Sequence, residues 1–421
     1  MNFSKTITAI LLSVSNCIYS EEYVNRYRIN NAFTRSRKLS FSNIIRYIIH
    51  SSHHSVSVNY SSFRNMIYDE KLPMVSKQAL SKARQGISHK AFLNFFRISV
   101  EEYYKHNKNT SLWNGFHLFA VDGTTIQIPV SEENLKTFGS NPNKYEKDTP
   151  LASVSALYEI TNDILVDVNL KPYRFSERES AKLHMEYLPD KARSIVIFDR
   201  GYPSENLFRF LQQRKIFFLM RVPKTFKKII YDEADTLFTF PSNKNFDEIT
   251  LRSIHFTLKS GKEEYLVTNL MPDQMPQSQF EALYFFRWGI ESKYRELKNR
   301  LEIENFNSLK PTCIKQEFYV AMFLSNLSAI LKQEVDKKIS SAPSSHNKKH
   351  TYQANRSYIL NRLKNNILIL LKSTKSFILK AIHILVEEAA LIRSIVRPDR
   401  KYGRYRRHTR RKFYSHMKNC L

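Results

Sequence analysis

Two short apolar runs in this 421-residue chain end in the same way, and that ending constrains what the chain can build. Leu118-Phe119-Ala120-Val121 runs into Asp122-Gly123-Thr124-Thr125, and Ile195-Val196-Ile197-Phe198 runs into Asp199-Arg200-Gly201-Tyr202. An apolar run bounded by Asp and Gly reads as a buried strand that delivers an acid to the turn at its exit. Glycine is scarce: the chain has 8, yet one follows each aspartate closely and another, Gly289, lies beside Glu291. Taken singly, each Asp-Gly reads equally well as a plain turn.

A third acid gives the pair its meaning. If Tyr284 to Lys298 is helical, at about 100° per residue, Tyr284, Arg287, Glu291 and Lys298 fall within roughly a 60° arc. Cations and a phenol on one stripe can grip phosphate oxygens, while a carboxylate among them binds the metal ion that activates those oxygens. An ordinary amphipathic helix with i,i+4 charge pairs would carry similar residues on a solvated face. The two upstream aspartates decide for the first reading. Two strand-end aspartates followed by a helix glutamate are what a two-metal phosphoryl-transfer site needs. Hard divalent cations take oxygen ligands, and three carboxylates tolerate one another only when cations neutralise them.

The spacing Y-x(2)-R-x(3)-E-x(6)-K, met in full by Tyr284, Arg287, Glu291 and Lys298, resembles the signature of DDE transposases of the insertion sequence 4 family. The Val-Asp-Gly-Thr segment at Asp122 and the Phe-Asp-Arg-Gly-Tyr segment at Asp199 are similar to that family's first and second acidic motifs. Tyr294-Arg295-x-Leu297-Lys298 and Val267-Thr268-Asn269-Leu270 also match family usage. The resemblance covers roughly residues 70 to 335, with no departure at the signature positions. It implies an α/β fold: a ribonuclease-H-like catalytic core with a β-rich insertion, flanked by helical N- and C-terminal regions. It also implies that Tyr284, Arg287 and Lys298 grip the DNA end near the cut.

Composition agrees. A formal net charge of +27 implies a polyanionic partner, with nucleic acid first. The charge is spread along the chain and not gathered in one short polybasic tail, which speaks against a membrane surface. Cys17, Cys313 and Cys420 lie far apart without CxxC spacing, which argues against a zinc site or a disulfide framework and fits a reducing cytoplasm. The apolar stretch Ile7 to Ile18 has the look of a short signal peptide, but Thr8, Ser13, Ser15 and Asn16 break it. A helix of the amino-terminal region is the expectation. No segment approaches about 18 continuous apolar residues, so no transmembrane span is expected.

Three regions follow. Residues 1–112 read as a helical DNA-binding region, with helices expected at Phe41 to Ile49 and Val75 to Phe96. Gln78, Lys82 and Arg84 are candidates to face DNA, since amides and cations on a helix suit groove and phosphate contacts. Residues 113–335 are the expected catalytic domain. In it the Asp122 strand leads to a hairpin of Ala152 to Ile160 and Ile164 to Leu170, a helix near Glu179 to Tyr187, and the Asp199 strand. Ser204 to Arg214 (helix) and Ile216 to Val222 (strand) come next, and 223–270 is the β-rich insertion. Asp163 and Asp167, in or beside the hairpin, read as structural or solvated acids. Trp288 is assigned to the core in preference to a role in DNA distortion. Residues 336–421 are the basic helical C-terminal region. Its end alternates Arg400, Arg404, Arg406, Arg407, Arg410 and Arg411 with Tyr402, Tyr405, Phe413 and Tyr414, which suits a phosphate backbone with aromatic stacking.

The expected chemistry is phosphodiester cleavage and strand transfer. Asp122, Asp199 and Glu291 hold two Mg²⁺ ions, with Mn²⁺ as a substitute, and the substrate is double-stranded DNA: the terminal inverted repeats of the element, then the target. Cutting two ends together implies a homodimer in the DNA complex, in a bacterial cytoplasm and without a membrane partner. A nuclease of the same fold without transfer, and a non-catalytic DNA-binding derivative, are the alternatives.

Overall fold

The computed structural model describes residues 3–35, 39–51, 53–107, 111–141, 149–226, 233–242, 247–258, 261–341 and 350–397. The arginine-rich end of the chain, from 398 on, and most of the polar stretch expected as a linker (342–349) lie outside them. Contacts divide the chain into two compact units. One comprises Met1–Asn109, Ile126–Leu151 and Leu297–Leu421; the other comprises Thr110–Thr125 and Ala152–Glu296. The division is not sequential, and the two terminal regions fall in one unit.

The chain opens with α1 (Phe3–Tyr19), α2 (Glu21–Tyr27), α3 (Phe41–His50), α4 (Val56–Met66), α5 (Lys77–Gln85) and α6 (Lys90–His106). Serine starts four of these helices: Ser20, Ser40, Ser55 and Ser76 each accept a hydrogen bond from the backbone N–H three residues on. The helix expected across Val75 to Phe96 is two, because the backbone between them bonds elsewhere. Ser88 N–H donates to the Tyr27 carbonyl and Ile29 N–H to the Gly86 carbonyl, both at 2.8 Å. Next come β1 (His117–Gln127), α7 (Glu132–Phe138), β2 (Leu151–Glu159), β3 (Ile164–Pro172), α8 (Glu177–His184), β4 (Ser194–Phe198), α9 (Glu205–Gln213) and β5 (Phe217–Val222). The strands β6 (Asp235–Phe240), β7 (Ile249–Thr257) and β8 (Glu263–Thr268) precede α10 (Phe280–Phe285) and α11 (Trp288–Asn299). The chain continues with α12 (Pro311–Ser341), β9 (Tyr352–Ala354), α13 (Arg356–Leu370), α14 (Lys375–Leu391) and β10 (Arg393–Ile395).

In the first unit α12 is the axis. It runs 31 residues from Pro311, a residue suited to a helix's first position, and buries side chains all round, among them Phe318, Met322, Phe323 and Leu327. Helices α1, α6, α13 and α14 pack on it. The stretch that resembles a signal peptide is α1, whose Ile7, Ile10, Leu11, Val14 and Ile18 are all at most 1% exposed. No helix among the described residues is long and apolar enough to cross a membrane.

In the second unit the sheet runs β3-β2-β1-β4-β5-β8-β7-β6. Its first five strands have the 3-2-1-4-5 order of a ribonuclease-H-like fold, with β4 parallel to both β1 and β5. The three strands from the expected insertion pair antiparallel onto the β5 side and continue the same sheet, which covers an edge that would otherwise stand open. All five residues of β4 are buried, as a parallel strand covered on both faces requires. On one face Ile195, Ile197 and Leu219 join Phe280 and Leu283 of α10 in a single apolar cluster. On the other, Phe218 stacks on Phe208 of α9 with centroids 5.4 Å apart.

Helix α8 is tied to the sheet by buried polar groups. His184 Nδ1 lies 2.7 Å from Asp167 Oδ2 on β3, and its Nε2 lies 2.9 Å from Ser155 Oγ on β2. Serine, histidine and aspartate are thus linked in line. All three are buried, which denies a substrate access and makes the chain of contacts a clamp. Asp167→Ala should therefore cost about 2 kcal/mol or more, the penalty for leaving a buried ring nitrogen unmatched. A urea melt showing a loss under about 0.5 kcal/mol would contradict the clamp.

Candidate active site

Strand pairing does the first part of the assembly. In the parallel ladder of β1 and β4 the last matched residues are Val121 and Phe198, and Asp122 and Asp199 follow them directly. Neighbouring strands lie about 5 Å apart, so the two acids leave the sheet side by side. The Asp122 carboxylate takes the Gly123 N–H at 2.8 Å, an Asx-type contact made as the strand turns.

The third acid arrives on α11, and the approach is not one continuous helix. Helices α10 and α11 are separated by a tight turn at Phe286 and Arg287, where backbone N–H groups bond three residues back: Phe286 to Leu283, Arg287 to Tyr284 and Gly289 to Phe286. Bonds of that kind eclipse residues three apart. Tyr284 therefore stays in line with Arg287, whose guanidinium carbon lies 5.8 Å from the Tyr284 ring centroid. Glu291 falls in the first turn of α11. Two features seat that helix against the sheet. The Tyr294 hydroxyl donates to the Asp122 carbonyl at 2.7 Å, and Gly289 lets the backbone approach β2: a Cβ there would lie 3.0 Å from Ile160 Cγ2.

Arg287 joins the acids. It is 3% exposed; its Nη2 lies 3.0 Å from Glu291 Oε1 and its Nη1 3.9 Å from Asp199 Oδ2. Burial works against its charge, but Tyr284, Asp199 and Glu291 outweigh that and hold the guanidinium protonated. Its Nε and Nη1 find no hydrogen-bond acceptor among the described residues. Burial also pushes the Tyr284 phenol up to about 12, with Arg287 opposing and Asp199 adding to the shift, so the hydroxyl keeps its proton and lies 3.4 Å from Asp199 Oδ1. Asp122 is pushed up from 3.8 to about 6: burial is the main cause, the Gly123 N–H and Arg287 oppose it, and the charges of Asp199 and Glu291 add to it.

These residues converge, but among the described residues no three acidic, His or Cys side chains stand close enough together to hold a metal ion. The donor chemistry nevertheless fits a hard divalent cation: the three acids offer only oxygen, and one of them already shows the strain of like charges at short range. Arg287 is the cation that faces Asp199 and Glu291 here.

Two residues near the acids carry no sequence signal. Arg221 on β5 forms a fork with Glu264 of β8, at 2.9 and 2.5 Å, and places Nη1 3.9 Å from Asp199 Oδ1. Arg178 on α8 donates to the carbonyls of Gly201, Tyr202 and Pro203 and so fixes the loop after Asp199. Both are ordinary charged residues whose role arises only from strand and helix neighbours. Asp163 and Asp167 are structural, as expected: Asp163 at the hairpin turn (φ 56°) binds buried Lys293 at 2.8 Å, and Asp167 holds His184.

Other expected residues divide. Lys298 lies seven residues after Glu291 on α11 and is partly exposed. Gln78 and Lys82 are exposed on α5. Arg84 is a correction: it is 4% exposed and bound to Glu317 at 2.7 Å and to the Cys313 carbonyl at 3.3 Å, so it ties α5 to α12 and does not face a partner. Trp288 is a second correction, being 42% exposed with the Arg287 guanidinium 4.7 Å from its ring. Its place at the start of a new helix turns it outward.

The raised Asp122 carries a stability consequence. A carboxyl whose folded value exceeds its unfolded one favours the fold while protonated, and that contribution is lost as pH rises from about 4 through about 6. At about 1.4 kcal/mol per tenfold change in proton affinity, roughly 3 kcal/mol is at stake. In EDTA, Asp122→Asn should be the more stable protein at pH 7.5, with the gap closing near pH 4. Denaturation curves offset equally at both pH values would contradict the shift.

Comparison with known proteins completes the site. Residues 113–327 match the family model described as the transposase DDE domain, a span of just over half the chain that contains every acid discussed above. The transposase InsG for insertion sequence element IS4 of Escherichia coli (strain K12) is 26% identical over 277 residues. That alignment covers 61% of this chain and 61% of the relative, so the chain spans under two thirds of the relative's length. Among solved structures, a piggyBac transposase synaptic complex with hairpin DNA is similar at a TM-score of 0.45 and 10% identity, over 89% of this chain and 85% of that one. With the family model matched across this fold and these acids, the chain belongs to the transposase DDE domain family.

Proposed function

We propose that this protein is a DDE transposase that cuts DNA at the ends of an insertion sequence and joins those ends to target DNA. The observation that carries the reading is the meeting of Asp122, Asp199 and Glu291 around a buried arginine that has donors to spare. The family generally uses divalent metal ions. Asp122, Asp199 and Glu291 would hold them, with Mg²⁺ in a pair as our reading and Mn²⁺ as a substitute. Bound there, divalent ions supply charge neutralisation at the phosphodiester and ease loss of a proton from the attacking water or 3′-hydroxyl.

The chain's own residues do the rest. The Arg287 guanidinium, released from its carboxylates by incoming cations, offers its unmatched hydrogens to the phosphoryl oxygens. Tyr284, protonated well beyond neutral pH, donates a further hydrogen bond. Lys298, on the same helical stripe, extends the grip along the DNA backbone. Arg221 and Arg178 hold the Asp199 turn in position. The exposed ring of Trp288 is free to bear on distorted DNA, and Gln78 and Lys82 offer a second contact from α5. The substrates are the terminal inverted repeats and target duplex, handled by a homodimer that cuts two ends together.

Glu291→Gln separates the chemistry from the binding. It should lower Mg²⁺-dependent cleavage of an element-end duplex at least about 100-fold, the range for loss of a metal-directed group, and change affinity for that duplex by under about threefold. Cleavage at the wild-type rate would remove Glu291 from the site. Binding should also fall steeply with salt, because each phosphate neutralised releases counterions, giving a log–log slope of about −5 or steeper. A flat response would argue against DNA as the partner.

A further inference from the structure

We propose that Glu177 is a fourth carboxylate of the metal site, admitted to it by the two glycines that follow the aspartates. The inference rests on the reading of Asp122, Asp199 and Glu291 as metal-holding acids. Glu177 is the first residue of α8, after the Ser176 cap, and an acid there ordinarily answers only to the positive end of the helix. Its surroundings show more than that. A Cβ on Gly123 would lie 3.0 Å from Glu177 Oε1, and a Cβ on Gly201 would lie 3.6 Å from Oε2. The carboxylate thus spans the residue after Asp122 and the second residue after Asp199, over ground that any side chain at 123 would contest. Tyr202, 1% exposed, sits within the fields of Asp122, Glu177 and Asp199 together.

Two further facts separate this placement from a chance surface glutamate. Glu177 has no salt bridge among the described residues, although its neighbours Glu179 and Arg178 are engaged: Glu179 pairs with Lys182 at 2.8 Å and Arg178 binds three carbonyls of the Asp199 loop. Helix α8 is also held rigidly, by the His184 contacts to Asp167 and Ser155. An independent sign that this ground receives a charged ligand is Arg287: it is 3% exposed, aimed at Asp199 and Glu291, and has two nitrogens without an acceptor. A fourth oxygen donor deepens the demand for cations that the other three create, and suits hard divalent ions that take six or more oxygens.

The test is Mn²⁺ binding by the full chain without DNA, followed by electron paramagnetic resonance, so that the readout does not depend on cleavage. Glu177→Gln should weaken Mn²⁺ binding about tenfold with unchanged circular dichroism and melting. Gly123→Ala, whose Cβ presses on Oε1, should reproduce part of that loss. Glu179→Gln, on the same turn but paired outward, should bind as the wild type does. Wild-type Mn²⁺ affinity in Glu177→Gln, with Asp199→Asn having lost it, would overturn the role of Glu177 alone. Wild-type affinity in both variants would overturn the metal-site reading and this inference with it.

Discussion

Parallel pairing of β1 with β4 puts two carboxylates next to each other where both strands stop, and most of the second unit can be understood from that juxtaposition. Like charges at about 5 Å repel, and burial makes the repulsion worse. Asp122 bears the cost, which is why its carboxyl is pushed up to about 6. The sheet cannot relieve this by moving one acid, because both strands are buried and matched residue for residue. Relief comes from outside the sheet, by bringing in a positive charge.

Arg287 meets that need, and the tight turn before α11 is how it gets there. A straight helix would carry Tyr284, Arg287 and Glu291 along one stripe; the observed turn keeps the tyrosine and arginine eclipsed and starts a new helix with Glu291 in its first turn. Tyr294 then anchors that helix to the carbonyl of Asp122 itself. The same few contacts therefore fix where the third acid stands and which cation balances the first two. Buried acids that destabilise the empty protein are the common signature of a functional site. Here the destabilisation is directed: cations and an anionic substrate would remove it together.

Legibility in the sequence followed how local the cause was. The apolar runs before Asp122 and Asp199, the hairpin at Asn162-Asp163 and the serine caps act within a few residues, so β1, β2, β3, β4, α9 and β5 fall close to where periodicity and turn chemistry place them. The signature spacing from Tyr284 to Lys298 marked the third acid. What could not be read depends on partners far along the chain. The separation of α5 from α6 is decided by backbone bonds to residues 27–29, and the burial of Arg84 by Glu317. Glu177 and Arg221 gain their positions from Gly123 and Glu264, and neither pairing leaves a pattern in the sequence. The turn at Phe286 and Arg287 lies inside a stretch with good helical periodicity, so a continuous helix was the natural expectation there.

The central claim is that Asp122, Asp199 and Glu291 face one ion-binding space. Iron(II) in place of the native ion, with ascorbate and peroxide, generates hydroxyl radicals that cut the polypeptide within a few ångströms of where the metal sits. Sequencing the fragments of the full-length protein should give cuts clustered at three separated places, beside Asp122, beside Asp199 and beside Glu291, all suppressed by excess Mg²⁺. Cuts at only one of these places, or elsewhere in the chain and insensitive to Mg²⁺, would contradict a shared site.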